Sequence, residues 1–122
     1  MARRVLLHVC GPLVLGALTY VGGSAHLLPR PPAWALGHTA DALWAYAVGA
    51  FVTLLWRDGP ERPRRAWTLV AFATVVLAEV GQRFGWVPGT FDPIDLLVTS
   101  AAFGLALLVT SPSPFLARRR TA

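Results

Sequence analysis

Glu79 is the residue whose type and position most directly suggest chemistry. It lies in an apolar stretch that begins at Ala66, so a helix would carry it roughly 20 Å from that start. In a hydrocarbon core about 30 Å thick, this depth places a carboxylate inside the membrane. Ionisable groups in such positions are costly and usually functional. Gln82 and Arg83 follow three and four residues later and would share the same helix face. The sequence therefore predicts a polar site, unless Glu79 pairs with Arg83 and only anchors the helix end.

Three aspartates map to the same end of the predicted helices as Glu79. Asp92 precedes Pro93, which is typical of an N-cap followed by proline at the first helical position. Asp95 would lie in the first turn, where it either meets the positive end of the helix dipole or faces a neighbouring helix. Thr39 is expected to cap the second helix, with Asp41 in its first turn.

If these helix ends converge, they form a polar cavity. Its candidate ligand-binding residues are Glu79, Gln82, Arg83, Asp95 and Asp41. Such a cavity could bind a lipid headgroup or a cationic group, and paired carboxylates could support acid–base chemistry. Whether the protein is an enzyme stays open, because no activated nucleophile, catalytic triad or phosphate loop is present.

We expect neither a metal nor a cofactor. The three histidines, His8, His26 and His38, lack the spacing of metal ligands. His26 and His38 are interpreted as loop or interface residues rather than as working bases.

Composition identifies the elements that must position these residues. The chain is 55% hydrophobic and 14% charged, whereas soluble domains carry about 25% charged residues. Four apolar runs predict an all-α, integral membrane four-helix bundle forming one domain over residues 1–122. We expect helices at about 5–22, 40–56, 66–84 and 93–110. Pro12 lies inside the first of them and predicts a kink relieved by local adjustment.

Arginine placement predicts the orientation. Nine of the eleven arginines lie before the first run, between the second and third, or after the fourth; only Arg30 and Arg83 lie on the other side. The positive-inside rule then makes both termini cytoplasmic. We expect the protein in the plasma (inner) membrane. A signal peptide cleaved after Ala25 would leave three helices with the same orientation; the long apolar run favours retention. The expected binding partner is membrane lipid, with possible association of the protein with itself or with another membrane protein. We expect no binding of nucleic acid.

Small residues predict the contacts between helices, because lipid is as apolar as leucine. The expected contact residues are Ala42, Ala45, Gly49 and Thr53 on the second helix, Ala71, Thr74 and Ala78 on the third, and Ser100 and Gly104 on the fourth.

Residues 79–104 resemble the VanZ-like family of small bacterial membrane proteins. The resemblance rests on Glu79 and Gln82 near a helix end, on Pro88-Gly89, and on Asp95 opening the next helix. It implies a place in the cell envelope and an association with glycopeptide (teicoplanin) resistance. Two positions depart from the family pattern: Thr90 replaces an arginine and Thr99 replaces an asparagine. If those side chains complete a site, this protein lacks the activity or uses Arg83 instead.

Three functions are therefore compared. The leading hypothesis is a VanZ-like envelope protein whose polar site, near the outer membrane face, binds an envelope lipid or glycan precursor. The first alternative is a non-enzymatic accessory or scaffold subunit of a membrane complex. The second is a small proton-coupled carrier with Glu79 as the protonatable group.

Overall fold

The computed structural model describes residues 1–24, 33–87 and 91–111, with side chains described over 1–22, 38–87 and 91–111. These residues form four helices and no strand. Helix α1 comprises Ala2–Val5, a π-helical turn at Leu6–Cys10 and Gly11–Ser24; α2 is Ala33–Leu55, α3 is Glu61–Arg83 and α4 is Pro93–Thr110. His26, Arg30, the Pro88-Gly89 connection and the arginines at 118–120 lie outside the described residues.

The π-helical turn in α1 is the local adjustment that Pro12 predicts. Proline has no N–H and its ring clashes with the carbonyl four residues back, here that of His8. The backbone widens just before it, and the Gly11 N–H donates to the Leu6 carbonyl five residues back. The turn carries His8, whose Nδ1 lies 2.9 Å from the Tyr46 hydroxyl of α2.

Helices α2 and α3 begin earlier than their apolar runs predict. Helix α2 begins at Ala33, directly after Pro31-Pro32 in the sequence, and proline is best tolerated at or before the first helical turn. Thr39 is therefore not its N-cap, and Asp41 lies in the helix interior rather than in the first turn. Helix α3 begins after its N-cap Pro60, which leaves residues 56–60 as the connection.

The helices run alternately up and down, with α2 in the middle. Among the described residues, α2 packs most extensively against α4, then against α1, and less against α3. One cavity joins Arg4 at the start of α1 to Leu54 at the end of α2 and Thr110 at the end of α4. A second joins Thr53 to Arg64 at the start of α3. These four helix ends therefore share one end of the bundle.

The core lies where α2 meets α3 and α4. Ala45, Val75 and Phe103 are buried together. A Cβ at Gly49 would lie 3.1 Å from the Phe103 carbonyl oxygen and from the Ala106 Cβ, which is a tight contact that favours glycine, so the predicted role of Gly49 in the contact between helices is confirmed. The fourth helix differs from the prediction: no described atom lies within 4 Å of a Cβ placed at Gly104. Helix α4 instead contacts the core through Thr99, Phe103, Ala106 and Thr110.

Two helices in the described part of the chain are long and apolar enough to cross a membrane: Ala2–Gly22 in α1, and α4. Helices α2 and α3 carry more polar residues, among them Asp41 and Glu79. Large apolar side chains remain exposed on all four helices, for example Leu18, Phe51, Leu69 and Leu108.

Candidate functional site

The beginning of α4 is held by a side-chain cap. Asp92 adopts an extended backbone conformation, and its Oδ1 accepts a hydrogen bond of 2.9 Å from the Ile94 N–H. Pro93 occupies the first helical position, as the sequence predicts. Because Asp92 supplies the cap, the Asp95 carboxylate one turn further on is available to a neighbouring helix.

That neighbour is His38 on α2. The Nδ1 of His38 is hydrogen bonded to Oδ1 of Asp95, and both side chains are largely buried, with 16% and 14% of their surface exposed. Directly below, the hydroxyl of Thr99 donates to the backbone carbonyl of Asp95 at 2.7 Å. The pair fixes the start of α4 against the second turn of α2.

Two further carboxylates complete an acid–histidine cluster made of His38, Asp41, Glu79 and Asp95. Asp41 follows His38 by three residues on α2 and so lies on the same face. Asp41 and Asp95 both lie within electrostatic range of Glu79 on α3, and His38 lies within range of Asp41. Three helices therefore each contribute at least one acid.

Glu79 is the most buried member, with 7% of its surface exposed. Its carboxylate makes no hydrogen bond or ion pair with any described residue. No described polar side-chain atom is both fully buried and without a partner, so the Glu79 oxygens keep a small exposed surface. Glu79 is therefore not part of a structural ion pair among the described residues, and a nearly buried carboxylate of this kind is a candidate functional group.

The end of α3 explains why Glu79 is held in this position. Gly85 has a φ of +70°, a conformation that favours glycine. The Trp86 N–H donates to the Gly81 carbonyl at 2.9 Å, and the Gly85 N–H donates to the Gln82 carbonyl at 3.2 Å, which is a Schellman C-cap. The chain then folds back so that Val87 packs on Gly81, where a Cβ would lie 2.9 Å from a Val87 methyl.

The charges of the cluster do not balance. Three carboxylates share one imidazole, and like charges held close together disfavour full ionisation. The hydrogen bond to the Asp95 carboxylate is the main cause that raises the pKa of His38, which precedes the predicted span, above its ordinary value of 6.5. Asp41 and Asp92 act in the same direction. The remaining negative charge requires either a bound proton or a cationic group from outside.

The other two predicted site residues lie apart from this pairing. Arg83 is exposed, and its guanidinium lies 5.6 Å from the centre of the Phe91 ring. It makes no salt bridge with Glu79, so the predicted anchoring pair does not form among the described residues. Gln82 is half-buried and lies one turn after Glu79. Its side chain makes no hydrogen bond with any described side chain.

The arrangement suits binding of a cation or proton exchange better than metal coordination. No group of three or more His, Cys, Asp or Glu side chains within the described ranges is arranged to hold a metal ion. The carboxylates come from separate helices and lie within electrostatic range of one another, so together they could accept hydrogen bonds from an ammonium or from hydroxyl groups.

His38 is the site residue that sequence reasoning misses, because the apolar run that predicts the second helix begins at about residue 40 and leaves His38 in the preceding loop. The available signal was Pro31-Pro32, which marks a helix start and turns His38 and Asp41 into neighbours on one helix face. Its pairing with Asp95, 57 residues away, has no local signal.

Comparison with protein-family models, with curated proteins and with solved structures finds no match to this chain.

Proposed function

We propose that this chain is a four-span protein of the plasma membrane with both termini in the cytoplasm. The exposed apolar side chains on all four helices support this, since soluble monomers rarely expose apolar surface so widely. Only 6% of the apolar window in α1 and 22% of that in α4 are buried, whereas a core helix of a soluble protein would be mostly buried. Six of the seven described arginines gather at one end of the bundle, as the positive-inside rule requires, and only Arg83 lies at the other end.

Within that membrane, the acid–histidine cluster binds the polar headgroup of an envelope lipid or glycan precursor at the outer face. The observation that carries this proposal is Glu79: nearly buried, without a described partner, and within range of Asp41 and Asp95. The excess negative charge selects a headgroup that presents an ammonium, with hydroxyl groups as additional donors.

The resemblance to the VanZ-like family is consistent with this site. Glu79 and Asp95, which carry the resemblance, lie in the same cluster, while Gln82 lies one turn away. The family's asparagine position is taken by Thr99, which is fully buried and donates its hydroxyl to the Asp95 carbonyl. Thr99 therefore supports the Asp95 backbone rather than facing the ligand, and His38 supplies the side chain that orients Asp95.

A binding experiment tests the proposal. In maltoside detergent, dodecylammonium is the probe, because it joins one ammonium to an alkyl chain. It should raise the melting temperature of the protein, and Glu79→Gln should abolish the shift. The matched control is Glu61→Gln, which neutralises an exposed carboxylate at the opposite end and should leave the shift intact. Equal shifts in both variants would remove Glu79 from the site.

A cellular readout addresses the envelope link. Cells that express the protein should differ in teicoplanin susceptibility from cells that express Glu79→Gln at the same level in the membrane. If Glu79→Gln behaves as the unchanged protein and defined partners co-purify, the accessory-subunit hypothesis replaces the present one. Proton-dependent uptake into liposomes that is lost in Glu79→Gln would favour the carrier.

A further inference from the structure

The end of the bundle opposite the acid–histidine cluster contains a second site that the proposed function does not use. A cavity of about 350 Å³ opens between the start of α1 and the ends of α2 and α4. We name it the arginine pocket; its lining residues are Arg3, Arg4, Leu7, His8, Leu54, Val109 and Thr110.

Three of the residues that line this pocket, Arg3, Arg4 and His8, can donate hydrogen bonds, and both arginines are positively charged. Arg3 and Arg4 make no salt bridge with any described carboxylate, in contrast to Arg65, which pairs with Glu61 at 2.5 Å. The imidazole of His8 faces the same cavity and is oriented by the Tyr46 hydroxyl at 2.9 Å. Arginine binds phosphate through paired hydrogen bonds, so two arginines and a histidine that line one cavity favour a phosphate as its ligand.

The floor of the pocket is formed by buried residues. Leu54 and Thr110 are 3% and 2% exposed, so they form a fixed surface where α2 and α4 end. The Thr110 hydroxyl donates to the Ala106 carbonyl at 2.6 Å, so its proton is not available to a ligand. A phosphate bound here would therefore depend on Arg3 and Arg4 for its charge.

An apolar groove continues from the pocket along α1. Leu7 lines both. The groove is shallow and open, and all the residues that line it lie on α1: Leu6, Leu7, Cys10, Gly11, Val14, Leu15 and Leu18. From Leu7 to Leu18 a helix rises roughly 16 Å. Half of a hydrocarbon core is about 15 Å, so the groove has the length of one acyl chain in one leaflet.

We propose that the arginine pocket and this groove together bind one anionic phospholipid of the cytoplasmic leaflet, with its phosphate on Arg3 and Arg4 and an acyl chain along α1. Charge complementarity selects the phosphate, and the length and apolar character of the groove select a lipid over a free ion. The inference rests on the membrane location in the proposed function, but not on the acid–histidine cluster.

Native mass spectrometry of the protein in maltoside micelles tests this with three probes: dimyristoyl phosphatidylglycerol, dimyristoyl phosphatidylcholine and inorganic phosphate. The unaltered protein should bind phosphatidylglycerol at least about tenfold more tightly than phosphatidylcholine, since each arginine near an anionic surface contributes appreciably. Equal binding of the two lipids would overturn the proposal without any variant being made.

Two variants locate the bound lipid. The double variant Arg3→Gln/Arg4→Gln should lose about tenfold in phosphatidylglycerol binding. The double variant Arg57→Gln/Arg62→Gln removes the same charge from the same end outside the pocket and should lose little. Val14→Trp fills the groove at an exposed position, so it should weaken lipid binding while phosphate binding stays unchanged. Phosphate bound as tightly as the lipid, with no effect of Val14→Trp, would mean that the ligand is free phosphate and would overturn the lipid assignment.

The dodecylammonium response separates this inference from the proposed function. A correctly folded Arg3→Gln/Arg4→Gln variant should keep that response, because the acid–histidine cluster lies at the other end. Phosphatidylglycerol selectivity without any dodecylammonium response would leave the lipid site standing and refute only the function proposed for the cluster. A similar loss of phosphatidylglycerol binding in Arg3→Gln/Arg4→Gln and in Arg57→Gln/Arg62→Gln would refute the assignment of the lipid phosphate to the arginine pocket.

Discussion

At one end of the bundle the arginines lie at the protein surface, while at the other end the carboxylates lie between helices. Arg3 and Arg4 are exposed and line an open pocket, so they can bind a partner without rearrangement. Glu79 is 7% exposed and lies within electrostatic range of Asp41 and Asp95. The two ends therefore differ in how their charges are solvated. An exposed charge at a helix end is inexpensive and suits orientation and surface binding, whereas each uncompensated buried charge is costly and suits selective binding.

The largest expected effect comes from disrupting the packing of α2 against α4, which lies between the two ends of the bundle. Gly49→Val places side-chain atoms where even a Cβ lies 3.1 Å from Phe103 and Ala106. Overpacking of this kind typically costs about 1–3 kcal/mol, so we expect a loss near 3 kcal/mol in the free energy of unfolding, measured by denaturant titration in detergent micelles. Gly104→Val, made on the open face of α4, should change stability little. A large loss in Gly104→Val would contradict the observed contact face.

The N-cap gives the next effect and separates structure from binding within the acidic end. Asp92→Ala removes the acceptor for the Ile94 N–H and should lower the free energy of unfolding by about 1 kcal/mol. Its dodecylammonium response should persist, because Asp92 caps the helix and Asp95 faces the cluster. Loss of the response with unchanged stability would reverse these two roles.

The His38–Asp95 pair gives a pH-dependent effect. The folded pKa of His38 is raised, so the pair stabilises the fold fully below the ordinary imidazole value of 6.5, and this contribution is lost as pH rises through the folded pKa. Asp95→Asn should therefore destabilise the protein most at acidic pH and least at alkaline pH. Two-dimensional NMR titration should also show a lower His38 pKa in Asp95→Asn. A stability difference that is independent of pH would show that the pair is not ionic.

The smallest effect is expected at the exposed ion pair of the basic end. Arg65 and Glu61 are 74% and 60% exposed, and pairs of this kind contribute about 0.3–0.5 kcal/mol. Glu61→Gln should thus change the free energy of unfolding by less than about 0.5 kcal/mol, and less still in high salt. A change as large as that of Asp92→Ala would mean that the two ends use charge in the same way.

Much of the bundle was predictable because its signals are local. The Asp92-Pro93 start, the end of α3 and the role of Gly49 follow from capping chemistry and from the need for close approach. The starts of α2 and α3 were predicted too late, since hydropathy marks where a segment becomes apolar and not where its backbone becomes helical. The Gly104 contact was wrong because a small residue permits close packing but does not specify which helix face is used.

The sequence by itself determined that apolar helical segments alternate with arginine-rich ends, and that Glu79 would be a costly carboxylate within such a segment. Only the tertiary structure decided that His38 meets Asp95, that Arg83 lies over Phe91 instead of beside Glu79, and that α2 occupies the centre. The physical reason is range: caps, turns and hydropathy act over a few residues, whereas the site forms when residues 38 and 95, 57 positions apart, are joined by packing around Gly49 and Phe103.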